Sequence, residues 1–174
     1  MSVQLYVKVF FILLLSNSAA LAEVEASVDE WVKLKSKIIR KFPSVEHVRP
    51  SQLSKDDMSK YILIDVREPN EYAVSHIEGA INLLDSNKVE ALAKSHPSKT
   101  LLLYCSVGYR SSLMAQELMD GGVVNVKNIE GSIFEWVNDG NDVVRGGKET
   151  QFVHPFNKSW GRYLESEYWV KGDD

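Results

Sequence analysis

Cysteine is almost absent from this sequence: Cys105 is the only one in 174 residues. A single cysteine cannot form an internal disulfide, so the thiol is free, capped or shared with a partner. The four histidines also lack a spacing that would build a metal site together with one cysteine; they are His47, His76, His96 and His154. The sequence therefore excludes a disulfide framework, predicts no metal site and favours a chemical role for the thiol.

A clustered excess of basic charge is also missing. Lysine and arginine number 20 against 24 aspartates and glutamates, which gives a formal net charge of −4 at pH 7. A nucleic-acid surface needs clustered basic charge, so no nucleic-acid partner is expected. Beyond the N-terminus no stretch approaches transmembrane length, and no internal repeat interrupts the chain.

The N-terminal residues 1–22 have the pattern of a secretory signal peptide. Lys8 precedes an apolar run from Val9 to Leu15, and Ala20 to Ala22 form an A-x-A cleavage site. The run is too short to span a bilayer comfortably. We predict cleavage after Ala22, no stable membrane anchor afterwards, and export to a periplasm or, alternatively, secretion; retained anchoring is the minority alternative.

The next segments divide into a helical extension and an α/β domain. Apolar residues recur at helical spacing over residues 27–42, which predicts a helix there, in an N-terminal extension of residues 23–44 that packs on the domain; a docking helix is the alternative. Over residues 45–140 short apolar strands alternate with helical patterns, as in an α/β domain with a mostly parallel sheet flanked by helices.

Residues 141–174 combine a turn-rich segment with a tail dense in aromatic residues. Val143 to Lys148 suggests a hairpin or turn. The aromatic residues of the tail are Phe152, Phe156, Trp160, Tyr163, Tyr168 and Trp169. Such apolar surface is costly in water, so we expect the tail to wrap the domain, with contact to a protein partner as the alternative.

The chain is organised around the stretch from Leu101 to Leu113. Leu101 to Tyr104 form an unbroken apolar run, which is typical of a parallel strand buried on both faces. A helical pattern follows and ends at Gly121. Cys105 thus lies between a strand end and a helix N-terminus, where open α/β sheets bind ligands.

This loop has the composition of an anion site. Free N–H groups at a helix N-terminus carry partial positive charge, and their field is expected to lower the pKa of the Cys105 thiol. Gly108 permits a positive φ, which turns successive N–H groups inward. Arg110 adds a planar fork suited to an oxyanion. The alternative reading of Cys105, a small buried core residue, fits these neighbours poorly.

Four motifs carry a resemblance to a known family. The loop from Cys105 to Arg110 resembles the active-site loop of the rhodaneses, which are single-cysteine sulfurtransferases. Tyr72 to Leu83 is similar to the upstream family signature, and Ile129 to Trp136 to the downstream one. With Ile64 to Glu68 these motifs cover about residues 45–140. The resemblance implies the three-layer rhodanese-like fold.

The resemblance also implies a double displacement without a cofactor. Cys105 would attack the outer sulfur of thiosulfate or a similar anion, release sulfite and become a persulfide. Cyanide or a thiol would then remove the sulfur. The residues implied to cradle the persulfide through loop N–H groups are Ser106, Val107, Gly108, Tyr109, Arg110 and Ser111.

Charged residues outside the loop admit two interpretations. Asp65 and Arg67 end a strand at the expected sheet edge, so they could tune the site, but such pairs are more often local hydrogen-bonding devices. The same structural interpretation is favoured for Glu71. His76 could act as a general base, as in cysteine hydrolases, whereas the resemblance assigns the motif histidine to the scaffold.

Two other functions share parts of this design. Cysteine phosphatases and arsenate reductases place five residues between cysteine and arginine, whereas only four separate Cys105 from Arg110. The shorter loop predicts a tighter cradle, better matched to sulfur than to a tetrahedral phosphate. The other alternative is a non-catalytic persulfide carrier or binding module that uses the aromatic tail for docking.

Overall fold

The computed structural model describes residues 25–53 and 55–170. The signal peptide predicted at residues 1–22 lies outside these ranges. The chain divides into two units, Met1–Leu34 and Lys35–Asp174, and residues 25–41 are helical (α1). Within the described ranges, no helix combines the length and the apolar character needed to cross a membrane.

Five parallel strands form the central sheet of the second unit. They are β1 (Glu46–Val48), β2 (Tyr61–Asp65), β3 (Ile81–Asn82), β4 (Thr100–Tyr104) and β5 (Val126–Ile129). Their order across the sheet is β1-β5-β4-β2-β3. The apolar run of β4 lies in the middle, and Leu101 to Tyr104 are at most 1% exposed. The α/β architecture with a central parallel sheet, predicted from the sequence, is confirmed.

Helices connect the strands and flank the sheet. They are α2 (Pro50–Leu53), α3 (Pro69–Val74), α4 (Ser86–Ser95), α5 (Tyr109–Asp120) and α6 (Ser132–Asn138). Local chemistry sets their ends: Asp85 accepts a hydrogen bond from the Asn87 N–H at 3.0 Å and so caps α4. Val89, Ile133 and Phe134 are fully buried. These apolar faces are what fixes the helices against the sheet.

The C-terminal segment begins with an antiparallel hairpin, as its turn residues predict. It joins β6 (Val143–Arg145) to β7 (Lys148–Thr150). A short helix, α7 (Lys158–Gly161), and a 3₁₀ turn (Ser166–Tyr168) follow. Side-chain hydrogen bonds from α6 hold this tail, as described below.

Some predicted boundaries are wrong. The sequence pattern predicts a short helix over residues 50–60, but the structure has two pieces there, α2 and a 3₁₀ turn (Met58–Lys60). The sequence pattern also predicts a strand over residues 123–129. This strand begins only at Val126, because the Val123 N–H donates to Leu118 O at 2.9 Å and completes the end of α5. The helix expected from residue 27 already includes residue 25.

Candidate active site

The Cys105 thiol lies at the carboxyl end of β4 and lines a cavity. The residue is 1% exposed, and its backbone N–H donates to Ser132 Oγ at 3.0 Å. The cavity has a volume of about 230 Å³. Its lining residues are Cys105, Ser106, Val107, Tyr109, Arg110, Phe156 and Trp160.

The loop turns its N–H groups toward the sulfur because its carbonyl groups are held elsewhere. The N–H groups of Ile133 and Phe134, in the first turn of α6, donate to Cys105 O at 3.2 Å and to Ser106 O at 3.1 Å. Gly108, at φ +102°, then aims its own N–H at Cys105 Sγ, at a distance of 3.2 Å. Most L-residues avoid this backbone conformation, which explains the glycine.

Arg110 is held by a buried carboxylate. Its Nη1 and Nη2 donate to Glu71 Oε2 and Oε1 at 2.8 and 2.9 Å, and Nη2 also donates to Ser106 Oγ at 3.0 Å. The Ser106 hydroxyl donates to Glu71 Oε1 at 3.0 Å. The Glu71 side chain is 1% exposed and that of Arg110 is 32% exposed. This bidentate pair fixes the position of the guanidinium.

The electrostatics of the site favour the thiolate. Burial acts to raise the pKa of the Cys105 thiol, but the charge of Arg110 and hydrogen bonds from Ser111 and Gly108 outweigh it, so the pKa is lowered. Burial likewise acts to raise the pKa of Glu71, and Arg110 reverses that effect, so this pKa is also lowered. Burial acts to lower the pKa of Arg110, but Glu71 and Cys105 together raise it.

Ser111 is a further contact of the sulfur. Its hydroxyl is fully buried and has no nitrogen or oxygen partner among the described residues. It nevertheless acts to lower the pKa of the Cys105 thiol. The adjacent Ser112 differs, because its hydroxyl donates to Gly108 O at 2.5 Å.

Asp65 and Arg67, for which site tuning is the alternative to a structural role, form a separate, fully buried ion pair. Arg67 Nη2 donates to Asp65 Oδ2 at 2.7 Å and to Ser75 O at 2.6 Å, which ties the end of β2 to the end of α3. Burial acts to lower the pKa of Arg67, but Asp65, Tyr104 and Glu71 raise it. Of the residues at the site, Glu71 therefore acts on this pair through its charge.

His76 lies in the scaffold rather than against the sulfur. Its ring stacks on Tyr72 at a centroid distance of 3.8 Å. Its backbone N–H donates to Val144 O at 3.0 Å, and its carbonyl accepts from the Val144 N–H at 2.8 Å. No group of metal-ligating side chains occurs in the described part of the chain.

Three residues of the site do not follow from the sequence motifs. Glu71 is 35 residues from its hydrogen-bond partner Ser106, and Phe156 and Trp160 come from the tail. The density of aromatic residues in the tail indicates that the tail packs against another surface, but no sequence spacing predicts that this surface includes Cys105. The Arg110 guanidinium carbon lies 4.9 Å from the centre of the Phe156 ring, a cation–π contact that joins tail and loop.

Known structures share this fold. A crystal structure of a thiosulfate sulfurtransferase from Pseudomonas aeruginosa aligns with a TM-score of 0.55 at 15% sequence identity, covering 75% of this chain and 25% of that protein. At this identity the likeness concerns the fold alone.

Sequence relatives cover the central part of the chain. An uncharacterized Bacillus subtilis protein, YqhL, is 38% identical over 74 residues, which are 42% of this chain and 59% of that protein. A thiosulfate:glutathione sulfurtransferase of Saccharomyces cerevisiae is 31% identical over 94 residues, covering 47% of this chain and 68% of the yeast protein. The profile of the rhodanese-like domain matches residues 50–139. The chain therefore belongs to the rhodanese-like domain family.

Proposed function

We propose that this chain is a sulfurtransferase that carries a sulfane sulfur on Cys105. The observation that carries the proposal is the Gly108 N–H aimed at Cys105 Sγ at 3.2 Å, in a cavity where the pKa of the thiol is lowered. A thiolate held by N–H donors is a ready nucleophile, and the same donors can hold a persulfide anion.

The proposed reaction has two displacements. The Cys105 thiolate attacks the outer sulfur of thiosulfate or a similar donor, a new S–S bond forms, and sulfite leaves with the electron pair of the broken bond. The product is a Cys105 persulfide anion. Cyanide or a thiolate then attacks its outer sulfur and restores the Cys105 thiolate, which yields thiocyanate or a new persulfide.

The geometry argues against phosphate chemistry. Only four residues separate Cys105 from Arg110, and the guanidinium fork is already engaged by Glu71. A tetrahedral phosphate dianion would need that fork for its own oxygens. A sulfur atom needs only the loop N–H groups. These contacts support sulfur transfer over phosphatase or arsenate-reductase activity.

The decisive measurement compares wild-type protein with Cys105→Ser. Both are incubated with thiosulfate, and their intact masses are recorded before and after cyanide is added. We expect the mass of one sulfur atom to be gained by the wild type alone and removed by cyanide as thiocyanate forms. If both proteins stay unmodified while the wild type hydrolyses a phosphate ester or reduces arsenate, the proposal is wrong.

Location and further partners stay proposals from the sequence. We propose that the chain is exported, on the basis of residues 1–22, and that it acts without a cofactor or nucleic acid. Contact with a protein partner through residues 141–174 stays an alternative use of that surface.

A further inference from the structure

The wall of the cavity that faces the catalytic loop comes from outside the family domain. Phe156 and Trp160 line the cavity together with Cys105, whereas the domain match covers residues 50–139. The remaining lining includes Val107 and the Tyr109 ring. A substrate that reaches the sulfur therefore passes between aromatic and aliphatic surfaces.

The tail is built to present these two rings. Asn157 Oδ1 accepts hydrogen bonds from the N–H groups of Ser159 and Trp160 at 3.0 and 3.1 Å, which places Trp160 in the capped first turn of α7. Phe156 has φ +64°, a conformation that is unfavourable for a bulky residue and that concentrates at functional sites and ligand clamps. Its N–H donates to His154 Nδ1 at 3.0 Å.

Helix α6 fixes this wall relative to the loop. Its first turn holds the carbonyl groups of Cys105 and Ser106. At its other end Asn138 donates through Nδ2 to Tyr163 O at 2.9 Å and accepts from the Glu165 N–H at 3.1 Å. Loop and tail are thus held by one rigid element, which is what a specific cavity requires.

The charge of the cavity disfavours a dianion. Arg110 is the one positively charged residue among those that line it, and both of its Nη atoms already donate to the Glu71 carboxylate. The Phe156 ring covers the same guanidinium. Thiosulfate carries two negative charges and would lose hydration without gaining an unpaired cation. A donor with one charge and an apolar group avoids this cost.

We propose, on the basis of the sulfurtransferase function proposed above, that Phe156 and Trp160 select monoanionic organic sulfur donors whose apolar group packs against them. With a thiosulfonate, the Cys105 thiolate attacks the terminal sulfur, the S–S bond forms, and the sulfinate leaves with the electron pair of the broken bond. The cavity of about 230 Å³ is below the ~300–1,000 Å³ of pockets for drug-sized ligands, which fits a single ring.

A comparison of three sulfur donors, one of them thiosulfate, distinguishes the effect of donor charge from the effect of apolar contact. Methanethiosulfonate replaces one oxygen of thiosulfate by a methyl group and carries one charge fewer, and benzenethiosulfonate adds a ring at the same position. We measure kcat/KM for cyanide-dependent thiocyanate formation with each donor. The variants are Phe156→Ala, Trp160→Ala and, as a matched control, Phe152→Ala, a tail phenylalanine that is 52% exposed and does not line the cavity.

For each protein we divide kcat/KM for benzenethiosulfonate by kcat/KM for methanethiosulfonate. We then compare this donor ratio in each variant with that of the wild type, because the intrinsic reactivity of the donors cancels in the comparison. The ratio is expected to fall about five- to tenfold in Phe156→Ala and Trp160→Ala, in line with a ring–ring contact, and to stay unchanged in Phe152→Ala. Glu71→Gln is expected to raise the ratio of thiosulfate to methanethiosulfonate several-fold, since it frees the charge of Arg110.

The outcomes distinguish the two proposals. Unchanged donor ratios in both cavity variants, with sulfur still loaded on Cys105, would overturn the aromatic selection and leave the sulfurtransferase proposal standing. An equal fall in Phe152→Ala would also overturn it, since the effect would then not arise at the cavity. Failure of all three donors to load the wild-type thiol would overturn both.

Discussion

Two neighbouring serines at the start of α5 differ in whether their hydroxyl acts on the Cys105 thiol. Ser111 and Ser112 are both fully buried. The hydroxyl of Ser111 lowers the pKa of Cys105 and has no nitrogen or oxygen partner in the described structure, whereas that of Ser112 bonds Gly108 O. A buried hydroxyl without a partner costs stability, so Ser111 is expected to serve the thiol rather than the fold.

Replacing each serine by alanine separates chemistry from stability. In Ser111→Ala we expect the pH dependence of iodoacetamide alkylation of Cys105 to move to higher pH, without a loss in the free energy of unfolding, because no hydrogen bond to nitrogen or oxygen is removed. In Ser112→Ala we expect a loss of about 1 kcal/mol from the broken hydrogen bond and an unchanged alkylation profile. Identical profiles for both variants would contradict the assignment of Ser111.

At the residue scale, predictability follows sequence distance. Cys105, Gly108 and Arg110 lie within six residues of one another, so their meeting in one loop follows from local geometry. Glu71 contacts Arg110 from 39 residues away, and Phe156 contacts it from the tail beyond the matched domain. Such contacts depend on how α3 and the tail pack, which periodicity does not encode.

At the element scale, Gly108 is the position at the start of α5 where a backbone N–H group contacts the sulfur. A side chain there would be strained at φ +102° and would contact Asn128 Nδ2 at 3.4 Å. Gly122, beyond the end of α5, has φ +93° with open space around it. The two positions share the conformational demand, but Gly108 alone has its N–H on the sulfur.

We therefore predict that alanine substitutions at the two glycines lower stability to a similar extent, but that only the substitution at Gly108 lowers activity. Gly108→Ala and Gly122→Ala should each lower the free energy of unfolding by about 1–2 kcal/mol in urea titrations. Sulfur loading of Cys105 should fall at least about tenfold in Gly108→Ala, because the N–H donor moves, and should persist in Gly122→Ala. Equal loading rates in the two variants would mean that the Gly108 N–H contributes nothing.

Strands and helices with one dominant pattern were predictable, and mixed segments were not. The apolar run of β4 favours a buried strand and no other conformation. The Gly146–Gly147 pair likewise favours the tight turn between β6 and β7. Over residues 50–60 the helical pattern is interrupted by side-chain competition. The Asp57 Oδ1 accepts the Ser59 N–H at 3.0 Å and starts a 3₁₀ turn, so the continuous helix does not form.

At the scale of the whole molecule, the Glu71–Arg110 pair ties α3 to α5 across the site and links stability to pH. The pKa of Glu71 is lowered in the folded protein from its ordinary 4.5. A carboxyl with a lowered folded pKa adds stability above its unfolded pKa, and this stability is lost as the pH falls through the folded pKa. Acid should therefore weaken the fold through this pair.

Glu71→Gln tests that linkage. At pH 7 we expect the variant to be less stable than the wild type by about 2 kcal/mol, below the value for fully buried pairs because the Arg110 side chain is 32% exposed. The difference should hold down to about pH 4.5 and shrink at lower pH, as the wild-type carboxylate becomes protonated. Urea unfolding at several pH values measures it, with Glu149→Gln, an exposed residue of β7, as the control. A difference that stays constant down to pH 2 would mean that the Glu71 charge does not support the fold.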